Sequence, residues 1–269
     1  MMKKFFIFLV AGLLAVSCII NFNGGGSVFV GSCTEEGIDF SEIREVATFR
    51  SLASSLPCNV YYVQADKQEV RVESTREFAE KVLTTVDDGV LNLRLEPGRY
   101  PKLVLRVVVS SPDIERISVS GSGNLIHEGS LHASGDLTLK VSGSGDIRTG
   151  GIDSKDFSAQ VSGSGSLDIG GLACDGFSAK VSGSGGIAIQ AVQAEGDASV
   201  RISGSGRVRL QDVTVDGDMD LNTSGSGGIR VNGSCHDVSA TTSGSGSISG
   251  NLTYNSIHTR TSGSGRVNL

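Results

Sequence analysis

The side chains best able to support catalysis or bind a metal are scattered along this chain. The carboxylates lie mostly in predicted turns, where acids usually act as solvated turn formers. They are Asp153, Asp156, Asp175, Glu195, Asp197, Asp212, Asp216, Asp218 and Asp237. The histidines are isolated, and the sequence has no Cys-x-x-Cys or His-x-x-x-His pair of the kind that binds zinc. We therefore predict no catalytic residue, no metal site and no cofactor.

Basic side chains follow a more regular pattern. They flank a recurring Ser-Gly-Ser-Gly tetrapeptide at positions where side chains are expected to point to solvent. They are Lys140, Lys180, Arg201, Arg207, Arg209, Arg230 and Arg260. A stripe of this kind would attract anionic polysaccharide or the phosphates of lipopolysaccharide. The alternative interpretation is a solvated strand face whose charges discourage aggregation.

The tetrapeptide itself recurs eight times in the C-terminal half. The copies begin at Ser120, Ser142, Ser162, Ser182, Ser203, Ser224, Ser243 and Ser262, at spacings of 22, 20, 20, 21, 21, 19 and 19 residues. A motif held at a near-constant period indicates a stack of like units. Each unit of such a stack must bury its apolar face against the next.

Apolar residues are in phase with the tetrapeptide. Just before most copies they alternate with polar residues, which is typical of a β-strand. A branched aliphatic residue also stands two positions after the last glycine of every copy: Leu125, Ile147, Leu167, Ile187, Val208, Ile229, Ile248 and Val267. Coils of about 20 residues with this pattern predict an all-β, single-stranded parallel β-helix. Seven steps of about 4.8 Å give the repeats a length of roughly 34 Å.

Glycines and composition agree with a thin solenoid. The glycines share the parity of the apolar residues, so Gly163 and Gly165 are expected to point inward, where a missing side chain lets the backbone bend. The 269 residues include 37 glycines and no Trp, and only 5% are aromatic. A net charge of −6 gives no sign of a nucleic-acid partner.

The preceding half lacks the motif but is also rich in predicted strands. Examples are Asn59-Val-Tyr-Tyr-Val63, Glu69-Val-Arg-Val72, Val90-Leu-Asn-Leu-Arg-Leu95 and Leu103-Val-Leu-Arg-Val-Val-Val109. No linker separates them from the first tetrapeptide. We therefore predict one domain over residues 42–269, with capping coils at 42–119 and repeat coils at 120–269.

The N-terminus is typical of an exported lipoprotein. Two lysines precede an apolar run of a dozen residues, which is too short to span a bilayer but suits a secretory leader. The run ends in small residues followed by Cys18, a pattern similar to a bacterial lipobox. We predict a signal peptide at 1–17, lipidation of Cys18 and a tether over 18–41, whose Asn21–Ser27 stretch has a flexible composition.

Four further cysteines follow, and export would permit disulfides among them. Cys174 and Cys235 lie three repeats apart, so stacking would separate them by roughly 14 Å. A disulfide needs Cα atoms within about 7 Å, and we predict that these two are not bonded to each other. Pairing of Cys33 with Cys58 is left open.

The order of segments resembles the putative auto-transporter adhesin head GIN domain family, common in lipoproteins of Bacteroides-type bacteria. The resemblance covers residues 42–269. It rests on Val60-Tyr-Tyr-Val-Gln64, Glu69-Val-Arg-Val-Glu73, Asp87-Asp-Gly-Val-Leu-Asn-Leu93, Leu103-Val-Leu-Arg-Val107 and Ile117-Ser-Val-Ser-Gly-Ser-Gly-Asn-Leu125, followed by the repeats. The resemblance implies a right-handed β-helix on an exported lipoprotein and supplies no proven activity.

These observations favour a non-catalytic, lipid-anchored binding or adhesion module of the cell envelope, in the outer membrane, on a face the sequence leaves open. The expected partners are the membrane and an anionic polysaccharide or other envelope component, without nucleic acid. Two alternatives remain. One is a carbohydrate-active β-helix enzyme, a polysaccharide lyase or hydrolase. The other is a structural lipoprotein that self-associates through its C-terminal edge.

Overall fold

A computed structural model describes residues 18–22 and 26–269 of the chain. The predicted signal peptide at 1–17 lies outside the described residues. Strands and one short helix make up the N-terminal part. In chain order they are β1 (Cys18–Phe22), β2 (Gly26–Val30), β3 (Cys33–Thr34), β4 (Phe40–Arg44), β5 (Ser51–Ser54), β6 (Val60–Gln64), β7 (Glu69–Ser74), α1 (Arg76–Ala79), β8 (Val82–Asp87), β9 (Val90–Leu95), β10 (Gly98–Tyr100) and β11 (Leu103–Ser111).

The repeat region consists of strands that pair in parallel, each with the strand one coil further along the chain. They are β12 (Arg116–Val119), β13 (Leu125–His132), β14 (Leu137–Val141), β15 (Ile147–Val161), β16 (Ser166–Gly183), β17 (Gly186–Ile189), β18 (Val192–Ala194), β19 (Ala198–Gly204), β20 (Arg207–Val215), β21 (Met219–Gly225), β22 (Gly228–Ser234), β23 (Asp237–Gly244), β24 (Ser247–Thr253), β25 (Ser256–Gly263) and β26 (Arg266–Asn268). The chain forms a β-solenoid of about 7 turns with coils of about 21 residues, which confirms the predicted fold class.

The aliphatic columns predicted from the sequence form the core. Ile147, Leu167 and Ile187 are stacked in register and are at most 2% exposed. Val141, Val161 and Val181 form a second buried column on the other side of the tetrapeptide. Burial of successive rungs of branched side chains therefore drives the stacking.

The tetrapeptides form one corner of the solenoid, where coil lies closely on coil. The first glycine of the motif has a positive φ at six positions: Gly163, Gly183, Gly204, Gly225, Gly244 and Gly263. A Cβ atom on Gly183 would lie 2.6 Å from the carbonyl oxygen of Gly163 in the preceding coil. Glycine is required here by both backbone conformation and space.

Polar side chains after the motif also link neighbouring coils. Asn124 Nδ2 donates to Asn59 Oδ1 at 3.1 Å, and the Asp146 amide donates to Asn124 Oδ1 at 3.2 Å. Both the amide and the hydroxyl of Ser166 then donate to Asp146 Oδ1 at 2.9 Å. These hydrogen bonds add polar specificity to the register that the aliphatic columns set.

The order of strands at the N-terminal end does not follow the chain. Strands β5 and β6 lie between β12 and β13 on one side and β9 and β11 on the other. Strand β7 pairs antiparallel with both β11 and β4, and β8 pairs antiparallel with β9. This end of the solenoid is therefore covered by antiparallel strands, and residues 42–119 share the core of the first coils.

The segment predicted as a tether contains strands. Val28 and Val30 of β2 are each 1% exposed, and β2 pairs in parallel with β10. Strand β3 pairs with β11. Residues 26–41 therefore belong to the folded domain, because alternate apolar residues in this stretch find a neighbouring strand to cover them. Cys18 is the first residue of β1, which pairs antiparallel with β2.

Of the four cysteines that follow Cys18, two form a disulfide and two are free. Cys33 and Cys58 form a disulfide with Cα atoms 5.8 Å apart, which settles a pairing that the sequence left open. Cys174 and Cys235 are free and buried, and the prediction that they do not bond to each other is confirmed. Among the described residues no helix is long and apolar enough to cross a membrane.

Candidate functional site

The basic residues singled out from the sequence lie around the tetrapeptide corner and point to solvent. We call them the basic surface, and all seven are exposed: Lys140, Lys180, Arg201, Arg207, Arg209, Arg230 and Arg260. They have the same strand parity as the motif serines, so side chains and hydroxyls emerge on the same outer surface. The position of each basic residue on the solenoid is set by the coil to which it belongs and by its distance in sequence from the motif.

Stacking brings members of this surface together from different coils. Lys180 pairs in register with Arg201 of the next coil, and Arg209 pairs with Arg230. Adjacent parallel strands lie about 4.8 Å apart, so each pair places two positive charges close together. Lys140 and Arg260 lie further along the same column as Lys180, toward opposite ends of the solenoid.

Most of these charges have no internal partner. Arg201 forms an ion pair with Asp220 at 2.8 Å. Within the part of the chain that the structure describes, the other six members have no carboxylate oxygen within 4.0 Å. Like charges held side by side without counterions repel each other, and an anion between them relieves that repulsion. The arrangement is suited to binding an extended anionic ligand.

The strands that precede the tetrapeptide carry Lys140, Lys180, Arg201 and Arg260 in one column, and the same face carries a column of acidic residues. The two columns are about 13 Å apart, with a row of mostly serine and threonine side chains between them. Shallow depressions follow this face. The acidic column consists of Asp136, Asp156, Asp197, Asp218 and Asp237. The face is therefore a polar groove with one basic and one acidic edge.

The histidines are not all isolated once the coils stack. His127 is buried, with Nδ1 2.9 Å from the carbonyl oxygen of Tyr62. His132 lies beside Asp153, at 3.4 Å between Nδ1 and Oδ2. His236 lies between two carboxylates, those of Asp218 and Asp237. Sequence spacing does not reveal this last cluster, because Asp218 belongs to the preceding coil.

One further polar cluster lies on the outer surface of the first coils. Glu35 Oε1 accepts hydrogen bonds from Asn59 Nδ2 at 2.8 Å and from the Tyr61 hydroxyl at 2.9 Å. Arg106 forms an ion pair with Glu73 and lies 3.5 Å from Glu35 Oε2. The sequence analysis did not identify these residues, since they come from four separate strands and loops.

The properties of this cluster suit a structural role better than proton transfer. Burial, and then the hydrogen bond to the Glu35 carboxylate, raise the pKa of Tyr61 to about 12. A tyrosine with a pKa this high is a poor general base near neutral pH. Because Arg106 is shared between two glutamates, its charge is already neutralised.

The free thiols of Cys174 and Cys235 are also poorly suited to reactions that need a thiolate. Burial, followed by the charges of Asp156 and Asp175, raises the pKa of Cys174 to about 12. Burial and the neighbouring Asp218 and Asp237 raise that of Cys235 to about 11. The reactive species of cysteine is the thiolate, which both sites disfavour.

Comparison with known proteins defines the class. The model of the family described as "Putative auto-transporter adhesin, head GIN domain" matches residues 48–234 and 178–269. The chain therefore belongs to this family, as its sequence pattern predicted. No protein of the curated set matches it significantly.

Solved structures share the fold. A putative lipid binding protein from Parabacteroides distasonis has 19% sequence identity and a TM-score of 0.77, over 90% of this chain and 98% of that one. A putative adhesin from the same species has 21% identity and a TM-score of 0.76, covering 87% and 98%. A putative adhesin from Parabacteroides merdae has 18% identity and a TM-score of 0.73, covering 87% and 96%. At these identities the likeness establishes the fold alone.

Proposed function

We propose that this chain is a non-catalytic binding or adhesion module of the cell envelope, whose basic surface binds an anionic glycan. The observation that carries the proposal is the stacked set of basic side chains without internal carboxylate partners, above all Arg209 beside Arg230. A rigid solenoid holds the backbone positions of these charges fixed, so little conformational entropy is lost when a linear ligand binds.

The family and the neighbouring structures support the adhesion part of the proposal. Of the three solved structures compared above, two are described as putative adhesins and one as a putative lipid binding protein. The motif serines add hydroxyl donors and acceptors next to the positive charges, which suits sugars that carry carboxylate, sulfate or phosphate groups. An anionic lipid headgroup would offer the same charges, and the binding assay must distinguish the two sources.

The non-catalytic part rests on the chemistry of the clusters. The carboxylates of the groove are spread along a column, and the Glu35, Tyr61 and Arg106 groups partner one another. Such mutually satisfied groups have little capacity left to act on a substrate.

The direct test is charge reversal on the basic surface. We expect the variant Arg207→Glu, Arg209→Glu and Arg230→Glu to bind anionic glycans on an array at least about tenfold more weakly than the unmodified chain, because attraction becomes repulsion. Vesicles containing anionic lipid, assayed in parallel, distinguish a lipid headgroup from a glycan. The loss of glycan binding caused by the charge reversal should be larger at low ionic strength, since salt screens exposed charges.

A matched control keeps the change in net charge but moves it elsewhere. Arg94, Lys102 and Lys155 are exposed and lie outside the basic surface. Their reversal to Glu should leave glycan binding unchanged. If both triple variants bind equally well, or if both lose binding equally, the basic surface is not the ligand site.

Export and anchoring through Cys18 complete the proposal, and they are supported by the apolar leader and the lipobox-like residues before the cysteine. Acyl chains on Cys18 would hold the module at the membrane surface. The variant Cys18→Ser should move from the membrane fraction to the soluble fraction of the envelope. Retention in the membrane fraction would contradict lipidation at this residue.

A further inference from the structure

The turn before β23 brings together three metal-ligating side chains from two neighbouring coils. Met219 and Val238 pair in register, so the aspartates that precede them, Asp218 and Asp237, lie on adjacent rungs. His236 precedes Asp237, and its amide donates to the carbonyl oxygen of Gly217 at 3.0 Å. The backbone thus fixes one imidazole beside two carboxylates.

The donor atoms converge on one point. Nδ1 of His236 lies 3.2 Å from Asp218 Oδ1 and 3.7 Å from Asp237 Oδ2. One ligand atom from each residue lies within 4.8 Å of the other two. In a tetrahedral site with metal–ligand bonds of about 2.1 Å, neighbouring ligand atoms are about 3.4 Å apart. The distances around Nδ1 bracket that value, so a small ion fits with only minor side-chain movement.

The electrostatics favour a cation at the same point. The two carboxylates, on adjacent rungs, repel each other. A third carboxylate, that of Asp197, lies one rung further back, where its Oδ1 accepts a hydrogen bond from the Asp218 amide at 2.9 Å. A divalent ion bound between the two carboxylates would neutralise their charges.

We propose that Asp218, His236 and Asp237 form a binding site for a divalent transition-metal ion such as Zn²⁺. One nitrogen and two oxygen ligands suit zinc and its neighbours, whereas Ca²⁺ takes six to eight oxygen ligands. The side chains are 66%, 58% and 39% exposed, respectively, so an ion has access and a water molecule completes its coordination. The site joins two coils and is independent of the glycan proposed above.

The chain contains a natural control for this proposal. His132 is also exposed and also has a carboxylate neighbour, Asp153, at 3.4 Å. Within the part of the chain the structure covers, no third metal-ligating group joins that pair. A histidine with one carboxylate should bind zinc far more weakly than a histidine with two.

The experiment is calorimetric titration of ZnCl₂ into the full chain and into three variants. We expect one site in the unmodified chain and in His132→Ala, with the same affinity. His236→Ala and Asp218→Asn should each weaken binding at least about tenfold, because each removes one ligand. CaCl₂ under the same conditions should give no binding at this site.

Several results would overturn the proposal. They are no zinc binding by the unmodified chain, unchanged binding in His236→Ala, or loss of binding in His132→Ala. Circular dichroism and the unfolding temperature of each variant without metal show whether its fold is intact. All substituted side chains are exposed, so a loss of zinc binding in a folded variant reports on the ligands themselves.

Discussion

At the scale of single residues, the glycines of the motif decide how closely the coils stack. The first motif glycine of coil after coil has a positive φ and faces a carbonyl oxygen of the preceding coil. The second is similarly restricted, since a Cβ on Gly227 would lie 2.7 Å from the Gly206 oxygen. The recurrence of Ser-Gly-Ser-Gly is thus a steric requirement of this corner, and the serines occupy the positions that face solvent.

A glycine substitution in the middle of the stack tests this account. Gly204 has φ +127°, and a Cβ there would lie 2.7 Å from the Gly183 oxygen. We expect Gly204→Ala to lower the free energy of unfolding by about 2 kcal/mol or more, because it combines a strained backbone with a backbone contact that cannot give way easily. Urea denaturation followed by circular dichroism measures the change.

Gly171 provides the matched comparison for that variant. It also lies in an interior coil, but a Cβ at this position meets no atom within 4 Å. Gly171→Ala should change the stability by no more than about 0.5 kcal/mol. Equal destabilisation by the two variants would contradict this account, because a Cβ on Gly171 meets no neighbouring atom and alanine has the better intrinsic strand preference.

At the scale of strands and coils, the sequence predicted the strands of the repeats but did not predict the order of the strands outside them. Period-two alternation in phase with the motif predicted the buried columns, and Leu167 and Val161 are indeed buried. The order of β5, β6, β9 and β11 could not be predicted. Those strands carry no shared motif, and their neighbours are set by long-range packing and by antiparallel pairing.

The candidate sites divide in the same way. Strand parity predicted that the basic residues would point outward, because parity depends only on the local chain. The Arg201–Asp220 ion pair and the cluster around His236 depend on how residues about 20 positions apart align in neighbouring coils. One-residue differences in coil length change that alignment, so spacing along the sequence did not disclose these contacts.

At the scale of the whole molecule, the two ends of the solenoid are covered differently. Antiparallel strands cover the N-terminal end, where Leu91 and Leu93 of β9 are fully buried. In the last described coil every residue of β25 is exposed, and Ile257 is 36% exposed. In a solenoid each coil is stabilised by its neighbours, so a coil with one neighbour is the least stable.

This asymmetry predicts a gradient of local unfolding along the solenoid axis. Amides of β25 and β26 should exchange with deuterium on the order of a hundredfold faster than those of β19 and β21, because opening the last coil breaks contacts on one side only. Hydrogen exchange followed by mass spectrometry over peptides 256–268 and 198–225 measures the difference. Equal protection of the two regions would contradict it and would indicate that the last coil is covered in solution. If so, protection that falls on dilution would identify the cover as a second copy of the chain.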